Sequence, residues 1–188
     1  ADGSLDTRGR PHKLKRTFNI SIRRPADLDR IYNLSLVYLV PVKAPYAWIR
    51  SICSWHHNCN SRSKTTRGSM LGVYARDWSA YYGRWLELIA AEPSKAMIVR
   101  YEDLLQDSAA VMRHVHSLVP QLQRTGEWAT MDDSVRINMS RGASFSRKRA
   151  YYLDRKYLAS FKKSELKEVN RELNSTVMDA LNYTFHET

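Results

Sequence analysis

A lysine and a serine eight residues apart, Lys43 and Ser51, lie where an apolar run gives way to a helical pattern. Residues 36–42 are almost continuously apolar, which predicts a β-strand buried on both faces. From Pro45 onward the apolar residues recur at helical spacing, and proline is favoured at the first position of a helix. The pattern therefore predicts a strand, a tight turn and a helix, with a cation at the strand's carboxyl end and a hydroxyl about two helical turns later.

This arrangement of residue types can bind a phosphate. In open α/β sheets, ligands bind at the carboxyl ends of the strands. The first turn of a helix also offers unpaired N–H groups and the positive end of its dipole to an anion. A lysine and a hydroxyl would each add a charge-assisted hydrogen bond of about 1.5–3 kcal/mol. A solvated strand-end lysine and an ordinary helix serine would give the same spacing, so the stretch alone leaves both interpretations open.

A second informative stretch runs over residues 71–118. Aromatic and aliphatic residues recur at intervals of three and four over residues 71–91, which predicts a long helix with one face in the core. Residues 96–99 predict a short strand, and Glu102 and Asp103 favour a helix start because acidic side chains stabilise the helix dipole there. We expect that helix to continue over residues 107–118. The predicted core stripe of the long helix consists of Val73, Trp78, Tyr81, Tyr82, Trp85, Leu86 and Ile89.

Together the two stretches resemble the sulfotransferases that use 3'-phosphoadenosine 5'-phosphosulfate (PAPS). Lys43, Pro45 and Ser51 resemble the segment that binds the 3'-phosphate in that family. A lysine replaces the commoner arginine, which keeps the charge and loses the bidentate fork. The aromatic stripe and the Tyr-Glu-Asp-Leu segment at residues 101–104 resemble the family's core. The resemblance implies that Tyr101 lies against the adenine, while Glu102 and Asp103 need no role beyond the helix start.

The same resemblance implies two further parts of the site. The family closes over the 3'-phosphate with an Arg-Lys-Gly segment, for which Arg141–Gly142 and Arg147–Lys148 are alternative candidates; a solvated basic loop is the other interpretation. His12, next to Lys13, corresponds in position to a general base that would take the acceptor's proton during transfer. As a solvated histidine in a polar tail it would have no such role.

The resemblance also implies an α/β fold, a three-layer parallel sheet flanked by helices as in sulfotransferases and P-loop proteins. We expect one domain over residues 1–188, with an irregular basic segment at 1–17, a nucleotide-binding core at 36–118 and C-terminal helices at 150–183. The domain is expected to be incomplete, with a helical C-terminal part.

The remaining local patterns give further expectations. Residues 18–22 predict a short strand, residues 27–34 a short helix, and residues 56–69 a basic loop. Ser164 is expected to cap a helix that extends to Leu181. Asn182 then tolerates the left-handed conformation that often ends a helix.

The family's first phosphate loop, which holds the 5'-phosphosulfate, has no recognisable counterpart in these 188 residues. The resemblance extends from about Lys43 to Tyr183. We therefore expect the chain as given to bind the nucleotide weakly, and to be inactive in transfer unless another segment supplies that loop.

The net charge of +11 and a pI near 9.8 predict an anionic partner. The sulfotransferase interpretation specifies PAPS or adenosine 3',5'-bisphosphate, together with a carbohydrate or other anionic acceptor. The alternative is a non-catalytic basic module that binds nucleic acid or an acidic glycan. No nucleic-acid-binding pattern is recognisable, so we expect no specific nucleic-acid partner. No apolar run approaches membrane-spanning length, so membrane association would require a segment outside this sequence.

Two cysteines, Cys53 and Cys59, flank a pair of histidines. Their spacing differs from that of zinc sites and no second ligand pair follows, so we expect no metal. A disulfide and two free thiols both remain possible. Several Asn-x-Ser/Thr acceptor sequences favour the secretory pathway, such as the Golgi lumen, over the alternative of the cytoplasm. They lie at Asn19, Asn33, Asn138, Asn174 and Asn182.

Overall fold

The structure is a computed structural model that describes residues 37–55, 64–119 and 144–186. It contains a short parallel sheet. Strand β1 (Tyr38–Val42) pairs in parallel with strand β2 (Ala96–Arg100), with Val40 opposite Ile98. Parallel strands require a crossover connection. Helices α1 (Pro45–Trp55) and α2 (Lys64–Ala91) lie in that connection.

Five further helical elements follow β2 in the described residues. They are α3 (Tyr101–Leu118), α4 (Phe145–Leu153), a 3-10 helix (Lys156–Ser160), α5 (Lys163–Glu172) and α6 (Ser175–Ala180). The described fold is mixed α/β, mostly helical around a two-stranded parallel sheet. None of the helices in the described ranges is both long and apolar enough to cross a membrane. The expected irregular segment at 1–17, strand at 18–22 and helix at 27–34 lie outside the described residues.

The predicted strand, turn and helix around Lys43 are confirmed, with Pro45 as the first residue of α1. The expectation that β1 is buried on both faces is wrong. Val40 and Val42 are buried, whereas Leu39 is 47% exposed on the opposite face. Neighbouring side chains of a strand point to opposite faces. The core of the described residues therefore packs against only one face of β1.

The long helix α2 supplies the largest side chains of the core. Trp78 is completely buried, and Tyr82 and Trp85 are nearly so, which confirms the central part of the predicted stripe. Val73 is 39% exposed, so its assignment to the core was wrong. The helix also begins at Lys64, within the stretch expected to be a loop. No proline interrupts residues 64–70, and adding residues to an existing helix costs far less than nucleating one.

Helix α3 bends at Asp107, whose φ of −152° and ψ of 85° are not helical. The Asp107 carboxylate accepts a hydrogen bond from the backbone N–H of Ala110 at 2.9 Å. Asp107 therefore acts as an N-cap for the second part of α3, and the helix predicted to continue over residues 107–118 is a bent one.

The single helix expected from Ser164 to Leu181 is instead two helices. The Glu165 carboxylate accepts from the backbone N–H of Lys162 at 2.9 Å, so α5 starts one residue before Ser164. The Asn174 side chain accepts from the backbone N–H of Val177 at 3.1 Å and starts α6. A side chain that caps a new helix start competes with continuation of the preceding helix, which explains the break.

The two helices of this C-terminal region nevertheless share one buried apolar face. Val169 is completely buried, and Leu173, Val177 and Leu181 are less than 8% exposed. Asn182 has a φ of 55°, which confirms the left-handed residue expected at the end of the region. The break at Asn174 thus leaves the packing pattern intact.

Leu71 and Val73 of α2 allow a buried and an exposed position of the same helix to be compared. Leu71→Ala should lower the free energy of unfolding by about 2–5 kcal/mol, because Leu71 is 2% exposed and its loss leaves a cavity. Val73→Ala, in the matched exposed position, should change it by less than about 0.5 kcal/mol. Urea denaturation of both variants measures the difference. Equal losses would show that Val73 belongs to the core after all.

Candidate functional site

The Lys43 ammonium lies at the carboxyl end of β1, among side chains from three helices. It donates to the Ser51 hydroxyl of α1 at 2.9 Å and to the Tyr152 hydroxyl of α4 at 2.8 Å. The centre of the Tyr101 ring, at the start of α3, is 5.4 Å from the Lys43 nitrogen. Lys43, Ser51 and Tyr101, which the sequence placed in one site, are therefore neighbours in the structure.

Two side chains of helix α2 donate hydrogen bonds to the backbone at and before Lys43. The Trp78 indole N–H donates to the carbonyl of Lys43 at 3.1 Å, and the Tyr82 hydroxyl donates to the carbonyl of Pro41 at 2.9 Å. Both donors belong to buried side chains, where an unpaired polar group is costly. The aromatic stripe therefore does more than fill the core, because it also fixes the end of β1.

Glu102 joins the turn after β1 to the C-terminal segment. One carboxylate oxygen accepts from the backbone N–H of Ala44 at 3.0 Å, and the other accepts from the Tyr183 hydroxyl at 2.8 Å. The Arg100 guanidinium lies 4.7 Å from the centre of the Tyr183 ring. The sequence assigned Glu102 only to the start of α3. Glu102 follows β2, which ends beside the parallel strand β1. This position was the signal for its contact with the turn after β1.

The electrostatics of the site are dominated by partial burial of the Lys43 ammonium. Burial lowers the pKa of Lys43 from 10.5 to about 8, while the negative charge of Glu102 acts in the opposite direction. The amine therefore remains largely protonated at neutral pH. Burial, together with Tyr152 and Glu102, raises the pKa of Tyr101, so its phenol stays neutral. A partly dehydrated cation beside neutral rings favours an anion as its ligand.

A polar cavity of about 190 Å³ adjoins this cluster. It shares Ala44, Glu102 and Tyr152 with the surroundings of Lys43, and its lining also includes Arg155 and His186. Burial lowers the pKa of His186. The cavity is thus next to the Lys43 cluster.

The contacts of Lys43 determine what chemistry it can perform. An ammonium has three N–H donors, and in the described contacts Ser51 and Tyr152 accept from two of them. A Lys–Ser pair can also activate a serine nucleophile, which requires the serine proton to move to a neutral lysine. Here the Ser51 hydroxyl donates to the carbonyl of Ala47 at 2.9 Å and accepts from Lys43. The Ser51 proton therefore points to a carbonyl and not to Lys43, so the lysine is not placed as a base for this serine.

Arg147 and Lys148 lie in the first turn of α4, so the alternative interpretation of a solvated basic loop does not hold for these two residues. The Ser144 hydroxyl accepts from the backbone N–H of Arg147 at 3.2 Å and caps the helix. Lys148 precedes Tyr152 by four residues, so the two share one face of α4. That face carries the contact with Lys43. The other predicted site residues, His12, Arg141 and Gly142, lie outside the described residues.

Tyr152 is the site residue that the sequence did not reveal. It lies 109 positions from Lys43, and its local pattern is only that of an aromatic pair before the 3-10 helix. No spacing rule connects residues so far apart, because their contact depends on how α4 packs against α3 and the 3-10 helix.

Cys53 is buried and disulfide-bonded, with its partner outside the described residues. This is one of the two states left open by the sequence. Within the described ranges, no group of three or more His, Cys, Asp or Glu side chains is arranged to hold a metal ion.

The chain matches no protein-family model, no curated protein and no solved structure. A function must therefore be inferred from the geometry of the site and the pattern of the sequence.

Lys43→Met tests the burial of the ammonium, because it removes the charge and keeps most of the side-chain volume. The pKa of Lys43 is about 8 in the folded protein against an ordinary 10.5, so the unfolded chain binds more protons between these values. The free energy of unfolding of the wild type therefore increases as the pH rises through this range, because the buried Lys43 loses its charge. The free energy of unfolding, wild type minus variant, should increase by about 1–2 kcal/mol between about pH 7 and about pH 10.

The measurement is urea denaturation at several pH values. Lys167→Met, at an exposed position of α5, is the matched control and should show a pH-independent difference from wild type. If the Lys43→Met difference were equally flat, the ammonium would not be dehydrated in the folded protein.

Proposed function

We propose that the chain is a PAPS-dependent sulfotransferase and that Lys43, Ser51 and Tyr101 bind the adenosine 3'-phosphate end of the cosubstrate. The observation that carries the proposal is the meeting of Lys43 and Ser51 at 2.9 Å, at the carboxyl end of a parallel strand. Ligands of parallel α/β sheets bind at such ends. Tyr101 supplies an aromatic surface for the adenine within reach of the same ammonium.

The start of α1 supports a phosphate at this place. Pro45 is its first residue, so the unpaired N–H groups and positive dipole end of the helix come directly after Lys43 and Ala44 in the chain. The Ala44 N–H is already bonded to Glu102, which fixes the turn that presents them.

The reaction that follows is transfer of a sulfuryl group from PAPS to a hydroxyl or amine of an acceptor, with a carbohydrate as the preferred class. Catalysis would consist of in-line positioning and of stabilising the leaving phosphate by cations. His12 would serve as general base. Arg147 and Lys148, or alternatively Arg141 and Gly142, would close over the 3'-phosphate. No metal takes part, and the secretory pathway is the proposed location.

In this proposal β1 and β2 are two strands of a larger three-layer parallel sheet. The 5'-phosphosulfate loop would lie elsewhere, so this chain by itself supplies the 3'-phosphate and adenine half of the site. We therefore expect measurable nucleotide binding even where transfer is slow.

A second candidate is supported by the net charge of +11: a basic module that binds an acidic glycan or nucleic acid without catalysis. Such binding would depend steeply on salt and would not distinguish the position of one phosphate on a ribose. The two candidates therefore differ in a measurable property.

Calorimetric titration with three nucleotides tests the proposal. Adenosine 3',5'-bisphosphate should bind at least about tenfold more tightly than AMP, because one additional charge-assisted contact is worth that much. Adenosine 2',5'-bisphosphate carries the same charges at a different ribose position and should bind like AMP. Lys43→Ala and Ser51→Ala should each remove most of the preference.

Lys167→Ala removes an exposed cation and is the control, which should keep the preference. If the two bisphosphates bound equally and both lost affinity steeply with salt, the polyanion-binding candidate would replace the sulfotransferase.

A further inference from the structure

Tyr152 contacts both the phosphate-binding and the adenine-binding residues of the proposed nucleotide site. Its hydroxyl accepts from the Lys43 ammonium at 2.8 Å, and the Lys43 nitrogen is 4.2 Å from the centre of its ring. The same ring meets the ring of Tyr101 edge to face, with centres 5.0 Å apart and planes at 88°. One side chain thus touches the cation assigned to the 3'-phosphate and the aromatic ring assigned to the base.

Tyr152 is itself held firmly. Its ring lies 5.1 Å from that of Tyr151 and 6.2 Å from that of Tyr157, which is buried. Helix α4 is tied to α3 by Arg149, whose side-chain Nε donates to the carbonyl of Leu105 at 2.9 Å. The hydroxyl of Tyr152 is therefore a fixed acceptor, presented from a helix that is distant in sequence from Lys43.

A lysine needs such an acceptor if it is to select one phosphate position. Its ammonium stands on a flexible four-carbon stem and, unlike a guanidinium, has no planar fork to fix its direction. Contacts with Ser51 and Tyr152 on two sides limit where the ammonium can lie and direct its remaining N–H. Tyr152 also contacts the ring of Tyr101. This one residue therefore sets the distance between the Lys43 ammonium, which would bind the phosphate, and the Tyr101 ring, which would bind the base.

We infer that Tyr152 is a positioning residue that makes the site selective for a ribose 3'-phosphate. The inference rests on the proposed function, because it assumes that Lys43 and Tyr101 hold the two ends of one nucleotide. Tyr152 acts through Lys43 and need not touch the phosphate. Loss of its hydroxyl would leave the charge of Lys43 in place and remove the constraint on its direction.

Tyr152→Phe removes this hydroxyl alone and keeps the ring contacts. Affinity for adenosine 3',5'-bisphosphate should fall by about tenfold, the effect of one hydrogen bond to a charged group. Affinity for AMP, which has no 3'-phosphate, should stay within about twofold of wild type. The variant should therefore bind adenosine 3',5'-bisphosphate and adenosine 2',5'-bisphosphate more nearly equally. Calorimetric titration gives the three affinities.

Tyr151→Phe removes the neighbouring hydroxyl and is the matched control, expected to keep the wild-type preference. A double-mutant cycle adds a readout that a purely structural role would not give. In a Lys43→Met background, Tyr152→Phe should change no nucleotide affinity further, because its effect passes through Lys43. Melting temperatures of all variants show that each remains folded.

The outcomes separate the inference from the proposed function. If wild-type protein did not distinguish the two bisphosphates, the proposed function and the inference would both be wrong. If wild type did distinguish them and Tyr152→Phe did so equally well, only the inference would be overturned. Additive losses in the double-mutant cycle would likewise contradict a role through Lys43.

Discussion

The partly buried ammonium of Lys43 is the constraint on which the rest of the site depends. Removing a charge from water is costly, and the lowered pKa of Lys43 reflects that cost directly. A lysine that only stabilised the fold would be better placed in solvent. Groups that hold a charge in an unfavourable place are concentrated at functional sites, because the free energy is recovered when a ligand of opposite charge binds.

Three residues hold Lys43 and the turn after it in place. Trp78 fixes its backbone carbonyl, Glu102 fixes the turn that follows, and Tyr152 fixes the ammonium itself. These residues belong to α2, α3 and α4, so the site forms only when α2 and α3 are packed on the sheet and α4 is packed on α3. Glu102 also reaches Tyr183, which extends the same network to the C-terminal segment.

The local parts of this arrangement could be predicted from the sequence and the long-range parts could not. Lys43 and Ser51 are separated by one turn and a short helical stretch, so their spacing alone brings them together. Val73 was misplaced because it is two residues from Leu71 and five from Trp78, offsets that put it on a different side of α2 from these buried side chains. The break at Asn174 was missed because a capping side chain inside an apolar pattern looks like an exposed position. Tyr152 depends on tertiary packing that no local pattern encodes.

A crystal structure of the chain with adenosine 3',5'-bisphosphate would test the central claim most directly. The account predicts 3'-phosphate oxygens within about 3 Å of both the Lys43 nitrogen and the Ser51 hydroxyl, with the adenine against Tyr101. A nucleotide whose 3'-phosphate lay away from Lys43, for example in the adjoining cavity beside Arg155, would contradict it.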